Sequence, residues 1–450
     1  MSEPGRNGSG DGASVLLRGG RVVDPSQDLD AKVDLLVENG RVARLGEALA
    51  ADQEIEVVDV DGLVVVPGLI ELRAQLGEPG FEQRETLRTG LAAAAAGGYT
   101  GLGALPATEP PVDTRSVVEM LRAEAARHAT ARLHPIAALS RRLAGEELTE
   151  MGELAEAGAV AVGDGARPQR DAALLRRALQ YASHFDLPVF CRATDPQLDR
   201  GGVMHEGEQS TRLGLRGQPR ISEESVVARD VLLAEDTRGR YHLAPVSTRG
   251  AVEQMRRAKE RGLRVSCDVT PMHLLLTDEA VATGGFSTAL RVDPPLRTAD
   301  DVEALLEACA DGTIDAITGE HRPHHADEKA DVQFSVAPPG VSALETTVSV
   351  CLDRLVGRGF LSLARLVELL STGPARILGV DGGSLAVGSV ADVTLLDLER
   401  EVTIEPRAFR SLGRSTPFAG WTLRGAPVGT YLAGRHIAGR RIAGRRVDLP

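Results

Sequence analysis

The sequence predicts an α/β protein: a (β/α)8 barrel carried by a composite β-sandwich domain built from both chain ends. Three observations support this. Eight short apolar runs alternate with helical patterns over roughly 250 residues, as in a barrel of that type. A β-rich texture fills the chain before Pro67-Gly68 and returns near its other end. The length of 450 residues, with 42% hydrophobic and 26% charged residues, gives material for two or three domains of ordinary globular composition.

Met1 to Ala13 is Gly/Ser-rich and polar, and is expected to be a flexible tail with no signal-peptide core. Val15–Val23, Lys32–Glu38 and Arg41–Leu45 read as strands, the last two joined by the hairpin signal Asn39-Gly40. Glu54–Val66 continues that texture. The eight apolar runs are Leu69–Leu76, Tyr99–Leu105, Leu133–Leu139, Ala159–Val162, Pro188–Arg192, Tyr241–Val246, Leu263–Val269 and Ile314–Thr318. Between them lie amphipathic segments such as Val117–His128, Asp171–His184, Ser225–Leu233 and Val252–Arg261. Gly388–Leu398 and Ala426–Val447 restore the β pattern. The expected division is a tail over 1–13, sandwich segments over 14–67 and 378–450, and the barrel over 68–377.

Composition narrows the function. The net charge of -13 argues against nucleic acid as a partner, and no run of about 18 uncharged apolar residues suggests a membrane span. Four cysteines without CxxC spacing fit a reducing, cytoplasmic setting. No GxSxG and no Walker A motif occurs, and Cys191, in an apolar run, reads as core rather than nucleophile. In a barrel, functional groups sit where the strands end, so the residues after each run carry the interest.

There the chain resembles a known family. Val66-Pro67-Gly68-Leu69-Ile70-Glu71-Leu72-Arg73-Ala74-Gln75-Leu76-Gly77 looks like the first-strand motif of dihydroorotases, in the cyclic amidohydrolase superfamily. Val269-Thr270-Pro271-Met272-His273, Pro294-Pro295-Leu296-Arg297 and Glu320-His321-Arg322-Pro323-His324 resemble the same family, in the same order. The resemblance runs from about Val15 to Val447 and implies the amidohydrolase type of TIM barrel.

It also implies a catalytic set that this chain lacks. Family members hold one or two zinc ions that activate water and polarise a cyclic amide. The His-x-His pair of the first strand is Arg73 and Gln75 here; a guanidinium cannot ligate zinc and an amide does so poorly. The histidine after strand five is Arg192, the one after strand six is Pro245, and the aspartate after strand eight is Glu320. No lysine stands at the end of strand four. Asp164, His273, Glu320, His321 and His324 are residual candidates for a weak single-metal site, outweighed by a reading of Glu320–His325 as an inherited polar loop. Substrate binding is left unassigned, its positions Gly77, Ala107, Asp293 and His324 read as eroded: Gly77 replaces an arginine, Ala107 an asparagine, and Asp293 another asparagine, with a charge that would repel an anion.

The expectation is therefore a degenerate site with no catalytic residue, no metal and no cofactor, resembling the family's inactive homologues. Arg73 and Arg192 are expected to replace the metal's charge in ion pairs with Asp164, Glu71 or Glu320. The resemblance implies a non-catalytic structural partner of aspartate carbamoyltransferase in pyrimidine biosynthesis, in a homo- or hetero-oligomer. Two alternatives stand beside it: an active cyclic amidohydrolase with a rebuilt metal site, and a small-anion binding protein using the same arginines. The five arginines within Arg435–Arg446 suggest an edge strand or a docking strip for an acidic partner.

Overall fold

The computed structural model describes residues 13–50 and 55–439. Its centre is an eight-stranded parallel sheet in sequential order: Leu69–Ala74, Tyr99–Ala104, Arg132–Ala137, Ala161–Gly163, Val189–Cys191, Tyr241–Leu243, Val265–Val269 and Ala316–Ile317. Each of the eight apolar runs supplies one strand. A parallel bridge between Ala74 and His321, where the Gln75 N–H donates to the His321 carbonyl at 2.8 Å, brings the last edge to the first. The strands are apolar on both faces because helices cover the outside while side chains fill the inside.

Those helices follow from the amphipathic segments. Arg115–His128, Ala172–Ser183, Ile221–Thr237 and Arg249–Glu260 bury one stripe each, for example Leu174, Leu175, Ala178, Leu179 and Ala182. Thr86 and Thr89 form a reciprocal cap at the start of Leu87–Ala96, and the Asp171 carboxylate accepts the N–H groups of Ala173 and Leu174. These contacts satisfy backbone donors that a helix start leaves open. Among the described residues no helix is long and apolar enough to cross a membrane.

Two further sheets join the chain ends. One has the order Arg41–Gly46, Asp34–Glu38, Val15–Arg18, Glu56–Asp59. The other runs Arg435–Gly439, Thr422–Leu432, Val393–Thr403, Val64–Pro67, Arg21–Asp24, Leu29–Lys32, with Val64–Pro67 antiparallel to Val393–Thr403. A shared core of Leu17, Val22, Leu35, Val65, Leu395 and Tyr431 lies between them. Val15–Val23, expected as one strand, divides between the two sheets. It breaks at Gly19-Gly20: Gly19 has φ +79°, and a Cβ on Gly20 would lie 2.6 Å from Val65 Cγ2, so only glycine permits the crossing. The Asn39-Gly40 hairpin forms as expected, with φ +50° and +74°. Arg435–Gly439 is the edge strand of the larger sheet; Arg440, Arg441, Arg445 and Arg446 lie outside the described residues.

Candidate functional site at the barrel mouth

Alternation along the first barrel strand turns Glu71 and Arg73 to the same side, and both are buried. Arg73 reaches across the barrel: its Nε and Nη2 each donate to Asp268 at 2.8 Å, and its Nη1 stands 3.5 Å from Glu320 Oε1. Asp268, in the seventh strand, is also bonded to His242 Nε2 at 3.0 Å, and Ser266 Oγ meets His242 Nδ1 at 2.8 Å. Burial opposes the charge of Asp268, but Arg73 and His242 outweigh it and hold the carboxyl below the usual range. Burial likewise opposes charge on Arg73, and Asp268 and Glu320 overcome it. Burial dominates at Glu320, whose carboxyl is pushed up despite Arg73 and Arg192.

Arg192, after the fifth strand, makes a second bridge. Its Nη1 donates to the Asp293 carbonyl at 2.6 Å and its Nη2 to Asp293 Oδ1 at 2.5 Å. The expected partners are therefore corrected. Only Glu320 among them faces Arg73, and at the longer distance. Asp164 instead accepts the Ser140 N–H at 2.9 Å, its hydroxyl at 2.6 Å and the Gln169 amide. Glu71 accepts from the Thr318 hydroxyl and from Gly319 N–H at 2.9 Å. The loops after strands three, four and eight bring their own donors to these carboxylates, which leaves the arginines to Asp268 and Asp293. Asp293 does not act as a bare repelling charge either, because Arg192 neutralises it.

The remaining candidates separate. His273 Nε2 donates to the Pro294 carbonyl at 3.0 Å while Thr270 meets its Nδ1; burial pushes its pKa down to about 4. His321 Nε2 bonds to Glu85 at 3.2 Å and its Nδ1 accepts the Ala343 N–H. His324 Nε2 donates to the Pro339 carbonyl, its Nδ1 is buried without a hydrogen-bond partner, and burial lowers its pKa to about 4. Gln75 donates to the Ala107 carbonyl at 3.3 Å, and Pro245 follows the sixth strand with no donor. Gly77 has no room for the arginine it replaces, since a Cβ there would lie 2.2 Å from the Phe81 carbonyl oxygen. Burial also drives the Cys191 thiol well above its ordinary pKa, in keeping with a core role.

Arg73, Gln75, Ala107, Asp164, Arg192 and Glu320 all face one cavity of about 230 Å³. The residues picked out along the sequence thus converge, but not as a metal site. Zinc takes imidazole, thiolate or carboxylate ligands, and here a permanent cation spans the space between the first and seventh strands. Among the described residues no group of three His, Cys, Asp or Glu is arranged to hold a metal ion. The side chains present do not fit zinc. Sequence reading missed Asp268 and His242, although an ionisable residue inside an apolar strand is itself a signal: Cys267-Asp268-Val269 and Tyr241-His242-Leu243 both carry one.

Comparison with known proteins agrees with the architecture. The dihydro-orotase-like family matches residues 62–251. The chain is 47% identical over 421 residues to a dihydroorotase of Anaeromyxobacter dehalogenans, covering 94% of this chain and 97% of that one. It is 46% identical over 422 residues to a dihydroorotase of Pelobacter propionicus, covering 94% and 99%. Among solved structures, the L-hydantoinase (dihydropyrimidinase) of Arthrobacter aurescens superposes with a TM-score of 0.86 at 26% identity, over 96% of this chain and 98% of that one. The dihydropyrimidinase of Brevibacillus agri shares the fold, with a TM-score of 0.82 at 23% identity over 95% of each chain. With nearly half its residues shared across almost the full length of such relatives, this chain belongs to the dihydroorotase family of the amidohydrolase superfamily.

Proposed function

We propose that this dihydroorotase-family protein serves pyrimidine biosynthesis without catalysing ring-amide hydrolysis, as a cytoplasmic structural partner of aspartate carbamoyltransferase in a homo- or hetero-oligomer. The observation that carries the non-catalytic half is the fork of Arg73 onto Asp268. Water activation by zinc requires ligands that share electron pairs with the ion. A guanidinium offers none, and with its partner carboxylate it occupies the strand ends where such ligands would stand. Arg192 and Pro245 remove two further ligand positions, so restoring one histidine alone, as in Arg73→His, is expected to recover no activity.

The test is metal content of the purified protein together with dihydroorotase assays in both directions. Zinc far below one ion per chain and no turnover would support the reading; stoichiometric zinc with turnover would overturn it. The overturning result would favour the second reading, an active cyclic amidohydrolase with a rebuilt site acting on a dihydroorotate, hydantoin or ureide ring. That reading draws on the 47% identity to a protein named dihydroorotase and on the hydantoinase-like backbone.

The partnership rests on the family resemblance and on a physical consideration: association needs only shape and surface charge, both of which survive loss of chemistry. It is checked by size-exclusion chromatography with light scattering on the two proteins mixed. Truncation after Ala433 would also remove the edge strand Arg435–Gly439, which pairs with Thr422–Leu432. Charge reversal at Arg440 and Arg441 is therefore the cleaner probe of a docking role for the arginine strip. Separate elution at micromolar concentration and low salt would sink the partnership.

A further inference from the structure

We propose that the outer face of Ile221–Thr237, the helix between the fifth and sixth barrel strands, is a docking surface for a second copy of this chain, paired antiparallel about a two-fold axis. The proposal narrows the oligomer part of the reading above to one surface and one partner. It does not depend on whether the mouth is catalytic.

At 17 residues this is the longest helix among the described residues. It packs on the barrel wall between Ala172–Ser183 and Arg249–Glu260. Its inner face buries Val226, Val227, Asp230, Val231 and Ala234. The opposite face carries Ile221, Ser225, Ala228 and Leu232, at steps of four, three and four residues that keep one stripe on a helix of 3.6 residues per turn. Ile221 is 52% exposed and Leu232 62%. One exposed aliphatic side chain is ordinary, but two at the ends of one stripe, with small residues between them, form a surface that fits an apolar partner. The short helix Pro196–Asp199 adds an exposed Leu198 at the Ile221 end, where the Asp195 N–H donates to the Ser222 carbonyl at 2.9 Å.

The stripe itself indicates its occupant. Its spacing is the same in both directions, so an antiparallel copy sets Ile221 against Leu232 and Ser225 against Ala228, each contact made twice. That is what a two-fold interface requires. Small residues at the centre let the helix axes approach to about 8 Å, the close end of the usual range. Ser225 carries no unpaired hydroxyl into the seam, because its Oγ donates to the Ile221 carbonyl at 2.7 Å. Opposed helix dipoles add a small favourable term. Charge points the same way. Four charged side chains of this helix flank the stripe, and three are paired within the chain: Arg229 with Asp230 at 2.7 Å, Asp236 with Arg176 at 2.6 Å, and Glu235 with Arg261. Glu224 alone has no ion pair among the described residues, too little charge to select a basic partner. In the antiparallel pair it stands about 7.5 Å along the axis from its own copy. The seam is one helix wide on a convex wall, so the association is weak and reversible rather than obligate.

The test is sedimentation velocity of the full-length protein alone, from about 1 to about 100 µM. A monomer–dimer equilibrium is expected in that range, weakened at least tenfold by Leu232→Glu, which places a carboxylate at both ends of the seam. Ile221→Glu should act likewise, and it serves as the read-out if the first variant misfolds. Both positions face solvent in the single chain, so both variants should melt as the unmodified protein does. Register is tested by mixing Ile221→Cys and Leu232→Cys chains with a short bismaleimide, the four native cysteines being buried. Cross-linked dimers are expected from the mixture and far fewer from either variant alone, whose own copies lie about 16 Å apart along the axis. A chain that stays monomeric, a dimer indifferent to both glutamates, or cross-linking no better in the mixture would overturn the proposal. So would a chain monomeric alone whose complex with aspartate carbamoyltransferase is broken by Leu232→Glu; that result would give the face to the other protein and leave the reading above intact. Zinc with turnover would defeat the non-catalytic reading and leave this inference standing.

Discussion

Two arginine–aspartate forks with nearly the same geometry sit in opposite environments. At the barrel mouth, Arg73 and Asp268 make two bonds of 2.8 Å, with side-chain exposures of 5% and 0%. On the sandwich surface, Arg21 and Asp30 make two bonds of 2.6 and 2.7 Å, with exposures of 48% and 46%. Water screens the second pair and can solvate either partner left alone. At the mouth neither is available, so removing one partner strands the other. Identical chemistry therefore has unequal consequences, and the surroundings set the difference. The buried pair is better understood as a shape-defining substitute for an ion than as a surplus of stability, since an apolar pair of similar volume often stabilises as well.

The sharpest way to break this comparison is Arg73→Ala, which leaves Asp268 buried and only His242 beside it. A loss of about 3–5 kcal/mol is expected in denaturant titration; an unchanged midpoint would mean that water enters the mouth freely. Arg192→Ala should cost less, about 1.5–3 kcal/mol, because the Asp293 side chain is 29% exposed and can be hydrated once its partner is gone. Equal losses in the two variants would show that burial is not the controlling variable.

Acid provides a third comparison. His273 and His324 are held neutral, with pKa values lowered to about 4, against about 6.5 in an unfolded chain. The unfolded state therefore binds more protons between these values, and stability should fall as pH drops from about 6.5 to 4. At pH 5.5 each histidine contributes about 1 kcal/mol of that loss, so His273→Gln should flatten the pH dependence of unfolding free energy by that amount. Asp268, with its pKa lowered, gives stability that persists through this window and is lost only as pH falls through its folded-state value. A flat profile in the unmodified protein would contradict the buried neutral histidines. The smallest effect belongs to the surface fork: Arg21→Ala should change stability by no more than about 0.5 kcal/mol, as read by the same titrations.

Much of the architecture is legible in the chain itself. Each barrel strand coincides with an apolar run to within a residue at its start or end or lies inside it, because burial on both faces leaves a local mark in the sequence. The composite sandwich is legible from β texture at both ends. The break at Gly19-Gly20 is not, since it depends on Val65 approaching from another strand. At the site, Arg73, Gln75, Arg192, Pro245 and Glu320 are identifiable by position in a motif, and all of them stand at or just past the ends of barrel strands as expected. Their partners are not identifiable in this way.

The sequence by itself determined the barrel, its family and the absence of histidines at the expected ligand positions, because periodicity and motif order are properties of the chain read locally. Only the tertiary structure decided that Arg73 meets Asp268 rather than Asp164, and that Arg192 meets Asp293. These partners are separated by 195 and 101 residues. Which carboxylate a guanidinium reaches depends on strand order, on the reach of its side chain and on which carboxylates Ser140 and Thr318 have already claimed. Those are facts about neighbours in space, and a linear chain does not record them.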